Sequence, residues 1–125
     1  MGLDMYACKT KDALPDAVDF DSEHVNSEQI FYWRKHPNLH GWMERLYREK
    51  GGAAASFNCV TLQLTLRDLN ALKSDVYGRS LPATSGFFFG ESYATPEERH
   101  RDLEFIEAAI TAIGDGYSVY YTSWW

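Results

Sequence analysis

The sequence predicts an α+β domain: a four-stranded, mainly antiparallel sheet with three helices packed on one face. Three observations predict it. Three segments alternate apolar and polar residues with the period of two that a half-buried strand requires, and a fourth is aromatic and β-branched. Three others repeat apolar residues at helical spacing, opening on proline or a capping threonine and closing on glycine. The order is β, β, α, β, α, α, β, with no internal repeat or linker. The whole chain, residues 1–125, has the length of one domain and reads as one.

The first strand is read over Gly2–Lys9, with Leu3, Met5 and Ala7 on one face and Asp4, Tyr6 and Cys8 on the other. An acidic segment containing Pro15 follows; a loop this long is expected to be partly ordered by packing of Val18, Phe20 and Val25. Gln29–Lys35, aromatic and β-branched, is the second strand. Pro37 then suits the first turn of a helix, where its missing N–H costs nothing. Leu39, Trp42 or Met43, Leu46 and Tyr47 form the buried stripe of that helix, and Gly51 and Gly52 stop it. Cys59–Thr65 is the third strand, with Val60, Leu62 and Leu64 pointing inward. Thr65 and Asp68 read as a capping box for a second helix with the stripe Leu66, Leu69, Leu72 and Val76, ending at Gly78. LPATSGFFFGESYA is a loop. TPEE opens the third helix, with the stripe Leu103, Ile106, Ile110 and Ile113, and Tyr117–Thr122 is the last strand. The second sheet face then carries Asp4, Tyr6, Thr61 and Gln63, either solvated or available for binding.

Composition narrows the function classes. Hydrophobic residues make up 45% and aromatics 15% of the chain, which excludes a disordered tail. No apolar run reaches the ~20 residues of a membrane helix, no signal peptide is visible, and the protein is expected in the cytoplasm. The net charge is −6, and residues 12 to 28 hold acids and no Lys or Arg. That balance argues against nucleic-acid binding, which needs a basic surface. The acidic segment reads as a solvated loop. Cys8 and Cys59 read as small buried apolar residues; zinc spacing is absent, and neither a metal nor a cofactor is expected.

The candidate functional stretch is YWRKHPNLHGW, residues 32 to 42. Arg34 and Lys35 suit a phosphate. His36 and His40 have i, i+4 spacing, but Pro37 puts His36 at or before the cap, and no third metal ligand is offered. The architectural reading is that a strand ends, His36–Pro37 turns the chain, Trp42 anchors the helix, and Gly41 lets a neighbour approach. Glycine-bounded SGFFFG lacks the lysine and spacing of a phosphate loop; its phenylalanines plug the sheet or form an interface. The acids of the third helix, Glu97, Glu98, Asp102, Glu104 and Glu107, read as a solvated face. A ligand site, if the polar residues converge, would draw on Asp4, Tyr6, Trp33, Arg34, His36, His40, Ser85 and Gly86.

Four islands in this order, MGLDMY, YWRKHPNLHGW, LPATSGFFFG and YYTSWW, resemble a family of small uncharacterised proteins of bacteriophages and prophages. Some members carry the label phosphoglycerate kinase. That enzyme has two domains and several times this length, and no nucleotide loop supports the label here. The resemblance implies an accessory protein acting inside an infected bacterium, with no established catalytic residues to carry over. Two functions are therefore expected: binding of a host or phage macromolecule, with a homodimer as a further possibility, or binding of a small molecule or phosphate, enzymatic or not, near residues 32–42.

Overall fold

The computed structural model describes residues 2–86, 90 and 95–125. The strands are β1 (Asp4–Thr10), β2 (Ser27–Arg34), β3 (Thr61–Leu64) and β4 (Ser118–Trp124). They form one antiparallel sheet in the order β2-β1-β4-β3. The helices are α1 (Pro37–Glu49), α2 (Leu66–Tyr77) and α3 (Pro96–Gly114). This is the α+β domain that the periodicities predict.

Leu3, just before β1, and Met5 and Ala7 within it are fully buried, as is Leu62 of β3, and the apolar faces of all three helices meet them in one core. The alternation does the sorting, because successive strand side chains leave by opposite faces. Thr65 and Asp68 form the capping box, each side chain accepting from the other's backbone N–H. Thr95 caps α3 by accepting from the Glu98 N–H at 3.1 Å. Gly51 takes φ +94, the left-handed turn that ends α1.

The acidic segment is more than a solvated loop. Val18 bridges Leu62, the Asp19 N–H donates to the Thr61 carbonyl and the Gln63 N–H to the Ala17 carbonyl, so residues 17–19 extend the sheet beyond β3. Phe20 is buried edge-on against Tyr120, and Ser22–His24 form a 3₁₀ turn. This removes Thr61 from the open face: it is 4% exposed, with Oγ1 donating to the Phe20 carbonyl at 2.7 Å. β3 also starts at Thr61 rather than Cys59. Cys59 has φ +58 and is exposed, and both cysteines are free thiols.

Gly41 sits inside α1 for a packing reason. A Cβ there would lie 1.9 Å from Thr84 Oγ1. Thr84 is held in place by donating its N–H to Asn38 Oδ1 at 3.0 Å and its hydroxyl to the Pro82 carbonyl at 2.9 Å. Gly41→Ala is expected to lose about 1–3 kcal/mol in thermal unfolding despite a helix-propensity gain of about 1 kcal/mol. The Gly41→Ala, Thr84→Gly double variant should recover most of that loss. Full stability in the single variant would show that residues 81–86 yield freely.

Candidate functional site

Two shallow depressions lie side by side where the end of β2, the start of α1 and the first turns of α3 meet. One is lined by Trp33, Arg34, Lys35, His36 and Arg101; the other by Asn38, Val76, Arg79, Leu81, Thr95 and Arg99. Glu98 and Asp102 line both.

The floor is a buried polar group. Asp102 is 2% exposed. Its Oδ1 accepts from Trp33 Nε1 at 3.3 Å and its Oδ2 from His36 Nε2 at 2.9 Å. A carboxylate only accepts, so the His36 proton is on Nε2. Glu98 Oε1 stands 3.8 Å from the same nitrogen. His36 is the N-cap of α1, followed by Pro37 in the first turn, so its ring is fixed by both backbone and carboxylate. The α3 acids are therefore not one solvated face: Asp102 is buried and Glu98 half-buried, whereas Glu97, Glu104 and Glu107 are exposed. Asp102 lies in helical line with Phe105, Ile106 and Ala109, all buried. That line, rather than the Leu103–Ile110–Ile113 stripe, is the helix's inner face; the latter three are half-buried.

The rim is cationic. Arg34, Lys35, Arg79, Arg99 and Arg101 represent five of the chain's 12 Lys and Arg, against only two of its 18 acids. None of the five forms an ion pair among the described residues. Arg101 is oriented by donating to the Tyr32 carbonyl at 2.8 Å and by lying over the Phe31 ring. Lys35 and Arg79 both take left-handed backbone, φ +56 and +55. Such conformations are uncommon for residues with a side chain, and here one lines each depression. Gly90 packs against Lys35, where an added Cβ would stand 3.0 Å from its side chain, so the far end of SGFFFG borders this rim. Phe87–Phe89 lie outside the described residues.

The sequence-derived candidates separate into distinct places. Trp33, Arg34 and His36 reach the depressions. Asp4 and Tyr6 lie on the opposite sheet face, where Tyr32 donates its hydroxyl to Asp4 Oδ1 at 2.5 Å and packs tilted on Tyr6. That hydrogen bond is the main cause of a raised Tyr32 pKa; burial, then Asp4, raises Tyr6. Arg34 is opposite Asp4 in the register and reaches from that face to the rim. Ser85 and Gly86 are exposed beyond Thr84. Arg79, Arg99, Arg101 and Asp102 are additions; only Asp102, a charge in line with an apolar stripe, left a sequence signal.

Comparison of the chain with protein-family models, curated proteins and solved structures finds no match.

His40 belongs to the core. It is 1% exposed, with Nδ1 2.6 Å from the Tyr121 hydroxyl and the ring 4.8 Å from Phe57. Burial pushes its pKa down to about 4, opposed by a hydrogen bond to the Phe57 backbone. Burial also raises Tyr121 well above the ordinary tyrosine value. His40 is thus neutral in the fold, and the unfolded chain takes up its proton first as pH falls. Its contribution is complete above pH 6.5 and is lost between pH 6.5 and about 4, a fall of about 3 kcal/mol. Chemical denaturation at pH 7.5 and 5.5 should show about 1.4 kcal/mol of that decline in the parent and a flatter profile in His40→Gln. Equal slopes in the two proteins would remove His40 as its source.

Proposed function

We propose that this protein binds a small anionic ligand in the paired depressions at the β2–α1–α3 junction. The reading rests on one observation: in a chain of net charge −6, five cations without ion-pair partners among the described residues converge on one place. Isolated surface charges are normally dispersed or paired; a cluster of one sign concentrates the opposite sign of solute. Guanidinium forks and an ammonium suit phosphate or carboxylate oxygens.

Titration with inorganic phosphate, pyrophosphate and citrate should raise the unfolding temperature. A ligand at 100 times its Kd adds about 2.7 kcal/mol, several degrees for a domain of this size. Each charged hydrogen bond contributes about 1.5–3 kcal/mol, so Lys35→Gln or Arg101→Gln should weaken binding at least tenfold. No shift with any of the three anions, or equal shifts in parent and variants, would defeat the proposal.

A second reading is a macromolecular contact on the open sheet face, with a host protein in a phage-infected bacterium or with a second copy of the chain. The exposure of Trp124, 67%, and Tyr32, 38%, favours it. Sedimentation across a concentration series tests the second-copy form. Association abolished by Trp124→Ser supports it, and a monomer throughout ends it.

A further inference from the structure

Arg34 belongs to two surfaces. In the register it stands opposite Asp4 on the open face of the sheet, and it also lines the depression that holds Lys35 and Arg101. All three cations are exposed. The step from one surface to the other is short. Arg101 donates to the backbone carbonyl of Tyr32 at 2.8 Å, and the ring of the same Tyr32 stands on the open face, its centroid 5.4 Å from that of Tyr6. Tyr32 and Arg34 are alternate residues of β2, so they share that face about 6.7 Å apart. Trp124, 67% exposed, is opposite Asp4 on β4, which makes it a diagonal neighbour of Tyr6 at about 7–8 Å.

This end of the open face therefore sets three aromatic side chains beside three cations at the β2 edge. Aromatic faces stack flat rings, and guanidinium and ammonium groups hold phosphate oxygens. Arg101 gives one of its five N–H donors to the Tyr32 carbonyl, which aims the guanidinium without exhausting it. Asp4 stands among the rings and accepts from the Tyr32 hydroxyl through Oδ1. A carboxylate has about four acceptor sites, so Asp4 can also accept from an amino group on a ring lying over Tyr32. The patch holds one such ring. In the next row of the open face Tyr120 is 3% exposed and covered by Phe20, whose sequence neighbours Asp19 and Asp21 are acids. A second nucleotide of a strand would meet that acidic cover.

Resting on the anion-binding reading, we infer that the ligand is a free nucleotide bound at the Lys35–Arg101 depression of the pair. Its phosphate lies against Arg34, Lys35 and Arg101. Its base stacks on Tyr6, Tyr32 and Trp124, and an amino group of the base donates to Asp4. A base in this place excludes the macromolecular contact of the second reading.

The test titrates the intact chain by calorimetry with GMP, IMP, ribose 5-phosphate, inorganic phosphate and a single-stranded octanucleotide. GMP is expected to bind at least tenfold tighter than ribose 5-phosphate, and severalfold tighter than IMP, which lacks the amino group. Tyr32→Leu and Trp124→Leu should each weaken GMP at least fivefold. Neither change removes a cation, so both variants should keep the parent's affinity for inorganic phosphate, which also reports that they fold. GMP no tighter than ribose 5-phosphate, or GMP binding unaltered in both variants, would overturn the inference while leaving anion binding intact. Equal affinity for GMP and IMP would overturn the role given to Asp4. An octanucleotide binding tighter than GMP would overturn the restriction to a free nucleotide. Failure of every probe, inorganic phosphate included, would remove the anion-binding reading itself.

Discussion

The hydrogen bonds of Asp102 are the constraint on which the β2–α1–α3 junction of this molecule depends. A carboxylate with almost no access to water is costly unless each oxygen is satisfied. Trp33 and His36 satisfy them, and in doing so they join α3 to the last residues of β2 and the cap of α1. That junction sets the azimuth of α3. With Asp102 turned inward, the helix repeat directs Arg99 and Arg101 to either side of it. The buried acid and the flanking bases are thus two consequences of one helix orientation.

The same junction explains how an acidic protein comes to hold a basic site. Residues 12–28, which carry much of the acid, are drawn to the other edge of the sheet by the pairing of Val18 with Leu62 and by the burial of Phe20. The rim cations come from four separate stretches: the end of β2, the turn after it, the turn after α2 and the start of α3. Net charge describes the sum, whereas a ligand meets the local arrangement. Mutual repulsion among the clustered cations is the cost of that arrangement, and the neighbouring Glu98 and Asp102 moderate it.

Much of the fold was legible because it rests on local rules. Alternation located three strands and β-propensity the fourth, the threonine caps and Pro37 and Pro96 marked helix starts, and Gly41 announced a close neighbour. What stayed hidden depended on tertiary pairing. Thr61 reads as an outward polar residue until Phe20 covers it. Cys59 reads as strand until its left-handed backbone ends the ladder. The site was half legible: the 32–42 stretch flagged Arg34 and His36, but period two sends Asp4 and Tyr6 to the far face, and His40 points into the core against Tyr121. Arg79, Arg99 and Arg101 carry no motif, because a cation's role here comes from what lies across from it in space.

The sheet order carries a consequence for how the chain is made. β1 and β4 lie side by side in the middle of the sheet, although they come from opposite ends of the sequence. Contacts between such distant residues close slowly, because a long loop must be ordered first. During synthesis β1 emerges well before its inner partner, which follows only when residues 118–124 leave the ribosome. Until then the Leu3–Met5–Ala7 face and one hydrogen-bonding edge of β1 stay open, shielded only by β2 and whatever helices have formed. Between the emergence of β1 and that of β4 the nascent chain therefore carries an unpaired strand edge, and completing the core waits on β4.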